Sequence, residues 1–347
     1  MTVALAPLAQ RVHGRWVGAA LRCLNSGGSL VLITVVRSLG STPRDAGTRM
    51  WVDAGGPCAT IGGGHLELQA IDTARTMLAD AGAPAAQIRH YALGPSLGQC
   101  CGGAVWLAFE RLDRADISWC EAFQALLDSG ASVRRTRQFP VLNNAHDAGR
   151  ASSQKPEPGV ALEPLDALVV TQPDASWKDS DHLLVDVTPG AAPLVVVCGA
   201  GHVGKAIVRV LAELPVSVVW LDPREDEWPA DLPDNVLCVN GDADDVPDFP
   251  DDAYWLVLTH SHALDLDIIE HVLRHKSFRY LGLIGSKTKA AKFRSRLLRK
   301  FPPAMVDRIV CPIGIVETSS KLPGVIAVSV AAQLVGLLEH VTSAGKL

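Results

Sequence analysis

The sequence predicts an α/β protein in two parts, an N-terminal α+β domain followed by a doubly wound parallel sheet. Three observations lead there. A glycine triplet, Gly199, Gly201 and Gly204, stands between a valine-rich run and an amphipathic helical stripe. Short buried-strand patterns then alternate with helical ones up to residue 339, as a doubly wound sheet requires. The first 142 residues instead combine a hairpin, a few separate strands and helices without that alternation.

Residues 194–198, LVVVC, are too short for a helix and rich in β-branched side chains, which favours a buried strand. The glycines after it have the G-x-G-x-x-G spacing: a tight turn, a place where a phosphate can approach bare backbone, and close packing of the next helix. Val203, Ala206, Ile207, Val210, Leu211 and Leu214 then form one apolar stripe at the 3.6-residue period. A second strand over residues 217–221 ends at Asp222, where a dinucleotide-binding fold places a carboxylate for a ribose hydroxyl. This is a Rossmann-like pattern. The plainer alternative is that the glycines only let a helix pack tightly.

The 347 residues are 48% hydrophobic and 20% charged, the composition of a globular chain with a sizeable core. No run of about eighteen apolar residues occurs, and MTVALAPLAQ lacks a basic segment before a long apolar core. Neither a membrane span nor a signal peptide is expected, and the expected location is cytoplasmic. A net charge of −5, with no basic cluster on an aromatic platform, argues against nucleic acid as the main partner. The eight cysteines include no C-x-x-C pair, so neither a disulfide framework nor a structural zinc site is suggested. The adjacent Cys100 and Cys101 stand out among them.

In chain order, residues 11–26 read as an amphipathic helix and residues 29–36 as a near-continuous apolar strand. A turn-rich loop over residues 40–47 carries Arg44. Residues 48–52 and 58–61 read as a hairpin whose second arm runs into Gly62, Gly63 and Gly64, with a helix starting at His65. The free N–H groups of that second glycine turn could hold an anion, or the glycines only turn the chain. Residues 87–93 and 104–110 read as strands joined by a loop that holds Cys100, Cys101 and Gly102. A helix at 118–127 and a strand at 132–142 close the first unit. Residues 143–192 are expected to be a linker with one or two connecting strands. The final helix is apolar over most of its circumference, which predicts full burial or a subunit contact, hence a homodimer.

Ligands of a parallel sheet sit beyond the carboxyl ends of its strands. The groups there are residues 199–204, Asp222 with Arg224, residues 259–262, Gly285 with Ser286 and Lys287, and residues 311–314. Lys287 opens a helix, which is unfavourable for the helix dipole and useful beside a phosphate. His202, at the head of a helix, could donate a hydrogen bond to an anion. His260 and His262 read as solvated loop residues rather than metal ligands, since no third ligand stands at a typical spacing.

Together the motifs GSTPRDAGTRM (40–50), ATIGGGHLE (59–67), GQCCGG (98–103), CGAGHVG (198–204), LDPRE (221–225), THSHALD (259–265), YLGLIGSKTK (280–289) and CPIG (311–314) resemble the XdhC/CoxI family, accessory proteins of molybdenum hydroxylases. The resemblance implies an XdhC/CoxI domain over residues 1–142 and a Rossmann-like domain over residues 193–347. Past CPIG the chain departs from the family's glycine-rich acidic turn, although Lys321 precedes the last helix. The implied function is to bind the molybdenum cofactor (molybdopterin), shield it while a cysteine desulfurase installs its sulfido ligand, and deliver it to apo xanthine dehydrogenase of purine catabolism. Such a carrier has no turnover of its own. Its expected partners are the molybdenum-binding subunit of that enzyme, the desulfurase and molybdenum insertion proteins.

The residue chemistry suits that ligand. Glycine-fronted helices at Gly62, Gly63, Gly64 and His65, and at Gly199, Gly201, His202 and Gly204, offer anion cradles. Arg44, Arg224 and Lys287 add charge-assisted contacts, and Asp222, His260 and Ser286 add polar ones. Cys101 or Cys100, beside Gly102, is a soft donor for molybdenum or sulfur, with Cys101 preferred and Cys311 third. Two other readings stay open: an NAD(P)-binding oxidoreductase, which the glycines and Asp222 satisfy unaided, and a scaffold that has lost its ligand.

Overall fold

A computed structural model describes residues 12–80, 82–94, 102–139, 159–165, 173–178, 182–315 and 320–344. The chain divides into a unit spanning His13–Ala191 and one made mainly of Ala192–Leu347.

In the first unit, α1 (Arg15–Asn25) precedes β1 (Leu30–Leu39), β2 (Arg49–Asp53), β3 (Gly56–Ala59), α2 (Gly64–Ala79), β4 (Ala86–Ala92), β5 (Ala104–Leu112) and α3 (Ile117–Asp128). The strands form an antiparallel sheet in the order β3-β2-β1-β5-β4. Strand side chains alternate between faces, so β1 serves two cores. Val31, Ile33 and Val35 meet Leu66, Ala70, Ala74 and Met77 of α2. Leu30 and Leu32 meet Trp16, Val17 and Ala20 of α1 and Phe123 and Leu127 of α3.

A second antiparallel sheet joins β6 (Ser132–Gln138), β7 (Val160–Leu165), β8 (Asp174–Lys178) and β9 (Leu183–Thr188) in the order β7-β6-β9-β8. The stretch expected to be mostly linker therefore supplies three of these four strands. A buried ion network helps to hold them. Arg135 of β6, fully buried, donates to both oxygens of Glu110 on β5 at 2.9 and 2.7 Å and to Asp186 on β9 at 2.8 Å. Arg49 of β2 adds a 2.6 Å bond to Asp186. These charges need one another, because an unpaired ion in such a place costs several kcal/mol.

The second unit carries β10 (Leu194–Cys198), α4 (His202–Leu211), β11 (Ser217–Asp222), β12 (Val236–Asn240), β13 (Ala253–Val257), α5 (His262–His275), β14 (Phe278–Leu283), α6 (Lys287–Leu297), α7 (Pro303–Val306), β15 (Ile309–Val310) and α8 (Pro323–Ala344). All neighbouring strands are parallel, in the order β12-β11-β10-β13-β14-β15. The doubly wound sheet predicted from the alternation is present. Val196 and Cys198 of β10 pack with Ile268, Val272 and Phe293 of α5 and α6, while Val195 and Val197 pack with Ile207 and Leu211 of α4 and Val330 and Leu334 of α8. The expectation for α8 is met on one side: Ala327, Val330 and Leu334 are buried, whereas Val325 and Val328 are exposed. Among the described residues no helix is long and apolar enough to cross a membrane.

Candidate functional site

The sheet order reverses direction between β10 and β13, and in doubly wound sheets ligands bind outside the carboxyl ends of the strands at such a switch point. The glycine turn lies there. A methyl group placed on Gly204 would sit 2.0 Å from the Gly199 carbonyl oxygen, and one on Gly199 would sit 2.4 Å from that of Leu258. Gly199 also has a φ of 126°, a conformation that other residues avoid. Packing thus dictates both of these glycines. Gly201 is different: its φ is −70° and a methyl there would meet no atom within 4 Å. Among the described residues nothing requires a glycine at 201. The bare backbone faces open space at the head of α4, whose first residue, His202, is exposed.

One buried carboxylate ties the turn to the end of β11, and a second ties the segment after β13 to α6. Asp222 ends β11 almost wholly buried, and its oxygens accept from the Ala200 N–H at 2.7 Å, the Arg224 N–H at 2.9 Å, and the Arg224 guanidinium Nε and Nη2 at 2.9 Å each. Burial alone would raise its pKa, but the Arg224 guanidinium and the two backbone N–H groups bring it below the ordinary carboxylate value. The sequence pattern places Asp222 where a ribose would sit; in the structure its acceptor positions are taken internally. Asp265, at 0% exposure, accepts from the N–H and hydroxyl of Thr259 at 2.9 and 2.8 Å and from Lys289 Nζ at 2.6 Å. Lys289 also donates to the Ile284 carbonyl at 3.0 Å.

The sequence chose Lys287 at this helix, yet Lys287 is exposed at the first position of α6 while Lys289 turns its ammonium inwards. Ser286 caps the helix, accepting from the Lys289 N–H at 3.2 Å. His260 is an exposed loop residue after Thr259. Cys311 is half-buried and lines a cavity of about 290 Å³ with Leu283, Phe293 and Leu297. Burial is the main reason its thiol pKa is raised, which makes it a weak nucleophile at neutral pH. Beyond it, the Gly314 N–H and the Tyr280 hydroxyl both donate to Gln333 Oε1 of α8, at 2.8 and 2.7 Å.

In the first unit the motif loops also converge. A methyl on Gly62 would lie 2.4 Å from Pro43 Cβ and 3.5 Å from Arg44 Cγ, and one on Gly103 would lie 2.4 Å from the Ser41 carbonyl oxygen. Arg44, His65 and Gly102 are exposed. The triple-glycine turn does not keep its N–H groups free, however. Glu67 Oε2 accepts from the Ile61 and Gly63 N–H groups at 3.0 Å each, and the Gly62 N–H donates to Thr60 Oγ1 at 3.0 Å. At the Ile61 and Gly63 N–H groups the negative charge is the chain's own glutamate. Cys100 and Cys101 lie outside the described residues. Among the described residues no group of three or more His, Cys, Asp or Glu is arranged to hold a metal.

Sequence reasoning missed Glu67, Asp265 as a site residue, Lys289, and the pair Lys205 and Glu227, joined at 2.7 Å. The signal for Lys289 was its place in the first turn after the cap Ser286. Glu67 was visible only as an acid in a helix's first turn.

Two family descriptions match the sequence: the XdhC Rossmann domain over residues 195–334, and the XdhC and CoxI family over residues 23–92. No curated protein matches the chain. Among solved structures, a xanthine dehydrogenase from Bacillus halodurans is similar over 93% of this chain and 96% of that one, with a TM-score of 0.68 and 19% identity. At that identity the likeness is one of fold. The first match takes in β10 to β15 and much of α8, and the second takes in the motif loops at residues 40–50 and 59–67. The chain belongs to the XdhC and CoxI family.

Proposed function

We propose that this protein is a xanthine dehydrogenase accessory protein that binds molybdenum cofactor, protects it during sulfuration and passes it to the apo-enzyme, without turnover of its own. The observation that carries the reading is Gly201, a glycine that the fold does not need, set at the head of a helix where a phosphate can rest on backbone N–H groups. When bound, the cofactor supplies a phosphate monoester, a hydrogen-bonding pterin and a dithiolene-held molybdenum. The chain supplies the cradle at residues 201–204, the donor His202, and Lys287 as a free surface cation beside a strand end. Separately from that cradle, Arg44 and Gly102 are candidate contacts within the first unit, with Cys101 as a soft ligand of that unit.

The alternative of a nicotinamide-dependent oxidoreductase is weakened by Asp222, whose carboxylate already has four donors. A transfer assay tests the carrier role. The loaded protein, mixed with apo xanthine dehydrogenase in air, is expected to restore more activity than the same amount of free cofactor. Equal restoration by free cofactor would rule out protection and delivery.

A further inference from the structure

A Rossmann crevice holds an adenosine ribose by offering its hydroxyls a carboxylate with free lone pairs. An ionised carboxylate has about four acceptor positions. At Asp222 all four are used: Oδ1 by the Arg224 N–H and Nε, Oδ2 by the Ala200 N–H and Arg224 Nη2. The guanidinium engages both oxygens as a fork, the strongest arrangement available to such a pair. It is also held from its far side, since Arg224 Nη1 donates to Glu227 at 3.0 Å and Glu227 accepts from Lys205 of α4 at 2.7 Å. Asp222, Arg224, Glu227 and Lys205 thus form one chain of ion pairs from the end of β11 to the first turns of α4.

We propose that Arg224 is a specificity-determining residue: it closes the ribose-recognition position of this crevice, so that the unit rejects adenosine dinucleotides and accepts a ligand through a phosphate monoester at the glycine turn. A ribose diol would have to replace two bonds between opposite charges with two in which only the acceptor is charged, and it would leave Glu227 without its guanidinium. A 2′-phosphate fares no better, because Glu227 and Asp222 both present negative charge around the one arginine. The glycine turn at Gly201 stays accessible whatever Arg224 does. The identity of the phosphate ligand rests on the carrier reading above; the exclusion of ribose does not.

The test uses the full chain and two probes, NAD and ADP-ribose, in isothermal titration calorimetry. Wild type is expected to give no binding of either probe at about 1 mM, and Arg224→Ala is expected to bind ADP-ribose at least about tenfold more tightly than wild type. Asp222 keeps its two backbone donors in that variant, and a melting curve checks its fold. Glu227→Gln, which loosens the arginine from the other side, is expected to give a smaller gain. Micromolar binding of NAD by wild type, or no gain in either variant, would overturn the proposal. Retention of molybdenum cofactor by wild type is read separately by gel filtration: its absence alongside a gain for ADP-ribose in the variant would sink the carrier reading and leave this one standing, and its presence without the gain would do the reverse.

Discussion

Adding one methyl group at Gly201 and one at Gly204 should give opposite results. At Gly204 the new carbon would lie 2.0 Å from the Gly199 carbonyl oxygen, and no rotamer can relieve a clash between two backbone segments. Overpacking of this kind costs about 1–3 kcal/mol, and this contact is near the upper end. At Gly201 the methyl meets nothing within 4 Å and φ is already −70°. There the smaller unfolded-state entropy of alanine stabilises by about 0.4–1 kcal/mol, and the preference for glycine over alanine at a helix N-cap offsets it by a similar amount. Gly201→Ala should therefore stay within about 1 kcal/mol of wild type. Urea unfolding reads both: the midpoint should fall for Gly204→Ala and hold for Gly201→Ala, with the slope unchanged. Pterin retention should fall in Gly201→Ala in spite of its native stability. Equal destabilisation by the two variants, or full pterin retention by Gly201→Ala, would refute the assignment of Gly201 to a ligand.

Three further outcomes follow from buried charges. Asp186→Ala leaves Arg135 and Arg49 short of a partner and should destabilise the protein by about 3–5 kcal/mol in denaturant unfolding. Lys289→Met strands the buried Asp265 carboxylate and should cost a similar amount, while Lys287→Met should leave the unfolding midpoint in place. His13 has a buried Nε2 without a hydrogen-bond partner, and burial followed by the nearby Arg49 lowers its pKa to about 4 from 6.5. Between those values the unfolded chain binds a proton that the folded one does not, so stability should fall as pH drops through this window, by up to about 3 kcal/mol. His13→Leu should flatten that part of the pH profile of the melting temperature.

The parallel sheet was legible because each of its strands is a short apolar run and the helices between them keep a 3.6-residue stripe. Burial of β10, β11 and β13 leaves their sequences little choice. Strands β7 and β8 were not legible. VALEPL and DASWK hold no apolar run, and they are strands because β6 and β9 offer paired backbones. The glycine turns were legible as turns, but their chemistry was not. Spacing alone cannot reveal that Glu67 folds back onto the Gly63 N–H while the crevice at Gly201 stays open. The inward turn of Lys289 was hidden for a similar reason, since two lysines two residues apart at a helix start differ only in which way the helix turns them.

The most direct measurement is anaerobic incubation of the purified protein with molybdenum cofactor, removal of free ligand by gel filtration, and assay of pterin, molybdenum and nicotinamide in the protein fraction. Pterin and molybdenum in near-equal amounts with the protein are expected, with both lost in Gly201→Val. Retained nicotinamide without pterin, or a protein fraction free of pterin and molybdenum, would contradict the cofactor-carrier function.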